Sequence, residues 1–315
     1  MLAIRQRVLG GPEVLELAEV PRPEPGPTEV LVRVTAAGVN PVDWKTRARG
    51  GFLGDPPFTV GWDVAGVVEA LGRGVTRFAV GDRVFGMPRF PREAAGYAEF
   101  VTSPSRQLAP IPAELDDVEA AALPLAGLTA WQALVETADL QPGDRVVVLA
   151  AAGGVGHLAV QIAKAQGAYV IGTASAARHP FLLGLGVDEA VDYAREEVAE
   201  RVSDADVLLD LVGGETGLHA LPAVRDGGIL VTVPSGSDVE SLRRAAGNRV
   251  RVTGILVEPD RTGLEAIAVL VERGALRPHV ARTFPLAEAS RAHELGESGR
   301  IGGGKLVLTT TETAG

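Results

Sequence analysis

The sequence contains no cysteine, which excludes disulfide bridges, thiolate nucleophiles and every metal site built on thiolate ligands. Bases are outnumbered by acids, 30 to 40, giving a formal net charge of −10. A chain this acidic lacks the basic surface that nucleic acid requires, so any phosphate binding must be local. Lysine is confined to positions 45, 164 and 305, a scarcity that points to no function. No run approaches the ~20 apolar residues of a membrane span, and the opening MLAIRQRVLG has no apolar core of a secretion signal. A cytoplasmic protein without nucleic-acid or membrane partners is expected. With 315 residues, 46% of them hydrophobic and 22% charged, the chain is long enough for two globular domains.

The most informative stretch runs from Val146 to Ser175, VVVLAAAGGVGHLAVQIAKAQGAYVIGTAS. Val146 to Leu149 form the short apolar run of a strand buried on both faces. Ala151, Gly153 and Gly156 then occupy the three positions of the G-x-G-x-x-G turn, with alanine where the first glycine is usual. Leu158, Ala159, Ile162, Ala163 and Gln166 follow at helical spacing, and Tyr169 to Thr173 form a second strand. Strand, turn, helix and strand in that order make a dinucleotide site. The turn residues Ala152, Gly153, Gly154, Val155 and Gly156 would hold the diphosphate at the helix N-terminus. An acid after the second strand would select NAD through its ribose hydroxyls. None occurs before Asp188; Thr173, Ser175 and Arg178 stand there instead, and a hydroxyl and a guanidinium suit a 2′-phosphate. NADP(H) is the expected cofactor.

The first hundred residues read as all β, with strands over Leu2 to Val8, Val14 to Val20, Val30 to Gly38, Ala65 to Leu71, Arg83 to Gly86 and Tyr97 to Thr102. From Leu115 the period changes. Asp116 and Asp117 cap a helix over Glu119 to Ala122, and Leu128 to Thr137 reads as another helix. Strands at Asp206 to Asp210, Gly228 to Val233 and Val250 to Leu256 then alternate with helical segments such as Val239 to Ala246, the pattern of a doubly wound parallel sheet. Val212 and Val233 to Ser235 (Val233, Pro234, Ser235) follow two of these strands, where such a sheet presents its binding crevice. Helices over Leu264 to Arg273 and Leu286 to Leu295, strands at Val280 to Phe284 and Lys305 to Leu308, and a frayed end from Thr309 complete the chain. The fold class is α/β. Residues 119–253 form the nucleotide domain, inserted into a β-rich domain of residues 1–118 completed by 254–315, with substrate held in the cleft between them.

Eight ordered motifs, among them AAGVNPVDWKTR (Ala36 to Arg47), VGWDVAGVVEALG (Val60 to Gly72), VGDRVFG (Val80 to Gly86), LPLAGLTAWQAL (Leu123 to Leu134), DLVGG (Asp210 to Gly214) and FPLAEASRAHELGESGR (Phe284 to Arg300), make the chain resemble zinc-independent medium-chain dehydrogenase/reductases of the quinone oxidoreductase-like branch. The resemblance implies a GroES-like catalytic domain, a Rossmann domain, an NADPH-dependent reductase of quinones or α,β-unsaturated carbonyls, and a homodimer. Where zinc-bearing members place Cys and His, this chain has Asn40 and Trp62, so no metal is expected. By the same resemblance Asn40, Asp43 and Lys45 line the active site: Asn40 orients substrate or water, Lys45 stabilises developing negative charge, and Asp43 is either catalytic or a capping carboxylate. Thr129, Tyr193, Leu256 and Val257 are placed beside the cofactor. Trp44, Trp62 and Phe52 form an apolar wall or pack in the core, and His157 is a surface or supporting residue. Reduction of aldehydes or enoyl thioesters, and a non-catalytic NADPH-binding sensor, stand as alternatives.

Overall fold

The computed structural model describes residues 1–234 and 236–310. Two compact units emerge among the described residues: one of residues 1–128, 258–272 and 278–310, the other of residues 129–257 and 273–277.

The first unit begins with a small antiparallel pair, β1 (Leu2–Arg5) and β2 (Glu16–Glu19). Next come β3 (Glu29–Val39), helix α1 (Pro41–Arg49), β4 (Asp63–Leu71), β5 (Arg83–Gly86), β6 (Phe100–Pro104) and β7 (Leu108–Pro110). α2 (Asp117–Ala121) follows, and α3 (Pro124–Trp131) runs into the second unit. α1 corrects the all-β reading of the first hundred residues. Asn40, Pro41 and Asp43 supply its N-cap, N1 and N3 positions, and the Asp43 carboxylate accepts a 2.7 Å hydrogen bond from the Asn40 backbone N–H. α2 starts where expected, because Asp116 and Glu119 bond each other's backbone N–H groups. The helix expected over Leu128 to Thr137 starts earlier, at Pro124, and widens to a π-helical turn over Gln132–Thr137, closed by Ala138 N–H donating to Ala133 C=O.

The second unit is a parallel sheet: β8 (Arg145–Val148), α4 (Gly156–Ala165), β9 (Tyr169–Ala174), α5 (His179–Gly184), β10 (Glu189–Asp192), α6 (Val198–Arg201), β11 (Ala205–Asp210), α7 (Glu215–Ala220), β12 (Val224–Thr232), α8 (Val239–Ala246) and β13 (Arg251–Gly254). Its strand order is β10-β9-β8-β11-β12-β13, every pair parallel. In chain order that is 3-2-1-4-5-6, the doubly wound arrangement whose direction reverses beside β8 and opens a crevice at the carboxyl ends of the strands. Val147, Leu149, Ile171, Leu208 and Leu230 fill its core.

Back in the first unit, α9 (Arg261–Glu272), β14 (Val280–Pro285), α10 (Ala289–Glu297) and β15 (Lys305–Thr309) end the chain. β15 pairs antiparallel with β3, Leu306 opposite Val39 and Leu308 opposite Ala37, within a sheet ordered β14-β15-β3-β4-β5-β7 with β6 also on β3. Fraying was expected from Thr309. Instead Thr309 belongs to β15, and Thr310 donates its N–H to Thr35 C=O; the rest of that end, residues 311–315, lies outside the described residues.

The turn between β8 and α4 tolerates alanine at its first position because Gly172 lies beneath it. A Cβ on Gly172 would sit 3.0 Å from that of Ala151. At Gly156 a Cβ would fall 2.3 Å from Ala150 C=O, so only glycine lets α4 start this close to β8. Gly156→Ala is expected to cost about 1–3 kcal/mol, the range for overpacking, measured as a lower urea midpoint at unchanged m.

Candidate functional site

Two polar arrays stand out, one in each unit. In the second, the β8–α4 turn exposes backbone donors. Among the described residues the N–H groups of Ala152, Gly154, Val155 and Gly156 make no hydrogen bond, whereas Ala151 N–H donates to Thr173 C=O and Gly153 N–H to Ala150 C=O. Thr173 also accepts Ala150 N–H on its hydroxyl at 3.1 Å, so it shapes the turn. Four unbonded amides at the start of a ten-residue helix are a cradle for an anion. His157 is fully buried, so of the surface and supporting readings it takes the supporting one; its Nδ1 lies 2.9 Å from Gly153 C=O and steadies the turn from inside.

Of the other residues expected around this cradle, those that follow β9 to β13 and are described lie at the carboxyl ends of the same sheet's strands, whereas Thr129 belongs to α3. Ser175 and Arg178 follow β9, and the half-buried Arg178 side chain has no polar partner among the described residues. Asp210, buried at the end of β11, accepts N–H groups from Val212 and Gly213 and the Thr232 hydroxyl, fixing the loops after β11 and β12. Val212 is 48% exposed there, with Val233 and Pro234 half-buried. Ser235 lies outside the described residues. Leu256 is half exposed and Val257 buried after β13, Tyr193 is 66% exposed after β10, and Thr129 is buried in α3.

In the first unit, strand order brings chemistry to one end of the sheet. Asn40 follows the last residue of β3, Asp63 starts β4 and Lys305 starts β15, and these three strands are neighbours. All three side chains are buried. Lys305 Nζ donates to Asn40 Oδ1 and to Val39 C=O (3.1 Å) and lies 3.5 Å from Asp63 Oδ2. Asn40 Nδ2 donates to Asp63 Oδ2 at 2.8 Å, and Asp63 Oδ1 accepts Leu125 N–H at 2.7 Å. Burial pushes the Asp63 carboxyl up and the Lys305 ammonium down, and each opposes the other's shift by favouring its charged form.

A second chain joins through Asp43. Its Oδ2 accepts Asn40 N–H and the Tyr97 hydroxyl (2.9 Å); Tyr97 Oη is 3.1 Å from His293 Nε2; His293 Nδ1 is 3.2 Å from Arg47 Nη1. Arg47 in turn pairs with Glu297 at 2.7 Å. Because a guanidinium only donates, His293 Nδ1 must accept, Nε2 carries the proton, and the Tyr97 hydroxyl points at Asp43. Asp43 Oδ1 is buried with no partner among the described residues. Burial pushes the Asp43 carboxyl up to about 7, opposed by the Asn40 N–H and assisted by the Asp63 charge. His293 is held down to about 3 by burial and then by Arg47.

Of the expected catalytic trio, Asn40 and Asp43 are thus joined, and Lys45 is not. It sits on the exposed side of α1 without a polar partner among the described residues, and the lysine inside the network is Lys305. The apolar wall divides as well. Trp62 is buried, donates Nε1–H to Arg92 C=O, and stacks edge-on with Phe90, which meets Phe52 the same way. Trp44 packs apart from them, against His293. The residues do not fit zinc. Asn40 and Trp62 offer no imidazole or thiolate, the Asp63 carboxylate already faces an ammonium, and among the described residues no three His, Cys, Asp or Glu side chains converge on a metal position.

The two perturbed groups act oppositely on stability. Asp43, with a folded pKa raised from 3.8 to about 7, contributes stability that is lost as pH rises through that window. His293, depressed from 6.5 to about 3, contributes stability that is lost as pH falls through its own. Between about pH 4 and 6.5 the two slopes cancel. Asp43→Asn should therefore uncover a rise with pH, relative to the parent, approaching about 1.4 kcal/mol per unit, measured by urea denaturation at pH 4.5, 5.5 and 6.5.

Comparison with known proteins agrees with this architecture. Residues 26–113 match the alcohol dehydrogenase GroES-like domain and residues 185–308 the zinc-binding dehydrogenase family. The quinone oxidoreductase of Rattus norvegicus is 33% identical, covering 98% of this chain and 97% of that one. The quinone oxidoreductase of Coxiella burnetii superposes with a TM-score of 0.93 at 37% identity, over 99% of both chains. The Escherichia coli quinone oxidoreductase in complex with NADPH superposes at 0.87 and 29% identity, covering 98% of this chain and all of that one. A GroES-like sheet closed by the chain's last strand, a 3-2-1-4-5-6 parallel sheet and full-length similarity place the chain in the quinone oxidoreductase-like branch of the medium-chain dehydrogenase/reductases, as an oxidoreductase.

Proposed function

We propose that the protein is an NADPH-dependent reductase that passes hydride to quinones or α,β-unsaturated carbonyls without a metal. The observation that carries this is the β8–α4 turn, whose four unbonded amides suit a diphosphate. Arg178 and Ser175, with no acid between β9 and α5, favour a 2′-phosphate over a free ribose hydroxyl. The Escherichia coli relative with NADPH supports the same cofactor. When bound, NADPH supplies the hydride. The chain's own residues seat the coenzyme along the carboxyl edge of the parallel sheet, and Asn40 orients the substrate oxygen. Electron-poor acceptors suit a site whose residues do not fit zinc, since a quinone or enone accepts hydride without a Lewis acid to polarise it.

NADPH oxidation followed at 340 nm with 1,4-benzoquinone, 9,10-phenanthrenequinone and an alkenal should show turnover that EDTA leaves unchanged. Tight NADPH binding with no turnover of any of the three would point to a sensor instead, and turnover restored only by zinc would refute the metal-free reading. Arg178→Ala should weaken NADPH binding by about 1.5–3 kcal/mol, the range for hydrogen bonds to charged groups, and leave NADH nearly untouched. Equal losses for both coenzymes would remove Arg178 from phosphate recognition.

A further inference from the structure

Counting hydrogen-bond valences at Asn40 leaves one donor over. Lys305 carries three protons and faces three acceptors: Val39 C=O, Asn40 Oδ1 and Asp63 Oδ2. An ammonium has no lone pair, so only the oxygen of the Asn40 amide can face it, and the amide is locked in one orientation. Its Nδ2 must then turn to Asp63, which takes one of the two amide protons. Asp63 is itself held, because Leu125 N–H occupies its other oxygen. The second Nδ2 proton has no acceptor among the described residues, although Asn40 is only 1% exposed. A buried, oriented and unspent N–H is what an oxyanion site requires, since its direction is fixed before charge develops.

We propose that Lys305 and Asp63 are positioning residues that clamp the Asn40 side chain, so that its remaining amide proton is aimed at the substrate oxygen on which negative charge accumulates. This rests on the reductase reading above and adds to it the pair that sets the donor's direction. The clamp couples the first strand of the sheet to the last. Asn40 alone, free to flip its amide, would present oxygen as often as nitrogen to a substrate and would repel the charge in half of those encounters.

The test is a double-mutant cycle. Asn40→Ala should lower kcat for 9,10-phenanthrenequinone about a hundredfold, as loss of one oxyanion donor does, with the NADPH dissociation constant unchanged. Lys305→Met should lower kcat with the same sparing of NADPH, and Asn40→Ala combined with Lys305→Met should lose no more than Asn40→Ala alone, because the lysine acts through the asparagine. Multiplying losses would overturn the clamp, as would normal kcat in Lys305→Met. If that variant fails to fold for want of a partner for Asp63, Asp63→Asn with Lys305→Met removes both charges and takes its place in the cycle. A readout independent of turnover is the Asn40 side-chain amide pair in a 15N–1H spectrum. Its two protons should be well separated and slow to exchange in the parent and should converge in Lys305→Met; an unchanged pair would refute the clamp. A parent that binds NADPH but reduces neither quinone nor enone would sink the reductase reading, while the amide spectrum would still decide whether the clamp exists.

Discussion

Pairing of β15 with β3 sets the terms for the rest of the catalytic unit. The register that puts Leu306 beside Val39 and Leu308 beside Ala37 also puts Lys305 beside Asn40, and β4 on the other side of β3 starts with Asp63. An ammonium buried alone would cost several kcal/mol, and so would a carboxylate. Each is tolerated because strand order delivers the other within reach, 3.5 Å away. The polar cluster is therefore a consequence of how the sheet closes. A slip of one residue in β15 would turn Lys305 to the opposite face and leave Asp63 buried without its cation.

The two units build their polar arrays by different means. In the parallel sheet the work falls to the backbone: a turn of small residues, the first turn of α4, and loops pinned by Asp210 and Thr232. In the antiparallel sheet it falls to side chains that converge from β4, β15, α1 with its cap Asn40, α10 and Tyr97, which precedes β6. Backbone donors are oriented by the secondary structure itself. Side-chain donors need neighbours to fix their rotamers, which is why Asn40 is surrounded by partners on both atoms of its amide.

That division explains what could be read from residues alone. The β8–α4 turn was legible because glycine spacing and apolar runs encode backbone geometry locally, and the alanine at its first position turned out to be matched by Gly172 below it. α2 was legible from Asp116, one of the two acids read as its cap, while the reciprocal bond from Glu119 is seen only in the structure. α1 was missed although Asn40, Pro41 and Asp43 carry a helix-start pattern, because a β-rich context outweighed a short local signal. The parts of the buried polar network that are not legible are those that sequence distance hides. Lys305 lies 265 residues from Asn40, and His293 lies 196 from Tyr97. Nothing in KLVLT says that its lysine faces inward. Lys45 enters through the family resemblance of its motif, yet helical geometry turns it away from the buried face that Asp43 occupies.

The chain of contacts from Glu297 through Arg47, His293 and Tyr97 to Asp43 has the outline of a proton wire, and the chemistry of its members argues otherwise. Each link of a wire must both accept and release a proton. His293 and Tyr97 meet that condition; Arg47, whose guanidinium stays charged, does not. The chain is therefore closed at its outer end. Direction passes along it instead: Arg47 fixes the histidine tautomer, the histidine donates to the tyrosine oxygen, and the tyrosine hydroxyl is left with Asp43 Oδ2 as its acceptor. The same oxygen also receives Asn40 N–H, so α1 and the Asn40 backbone are held by a carboxylate whose own orientation is set from α10. The Lys305 and Asp63 clamp then acts on an Asn40 whose main chain is already fixed. Backbone and amide of one residue are constrained by two separate sets of contacts, and the freedom left to Asn40 is confined to the single proton that neither set uses.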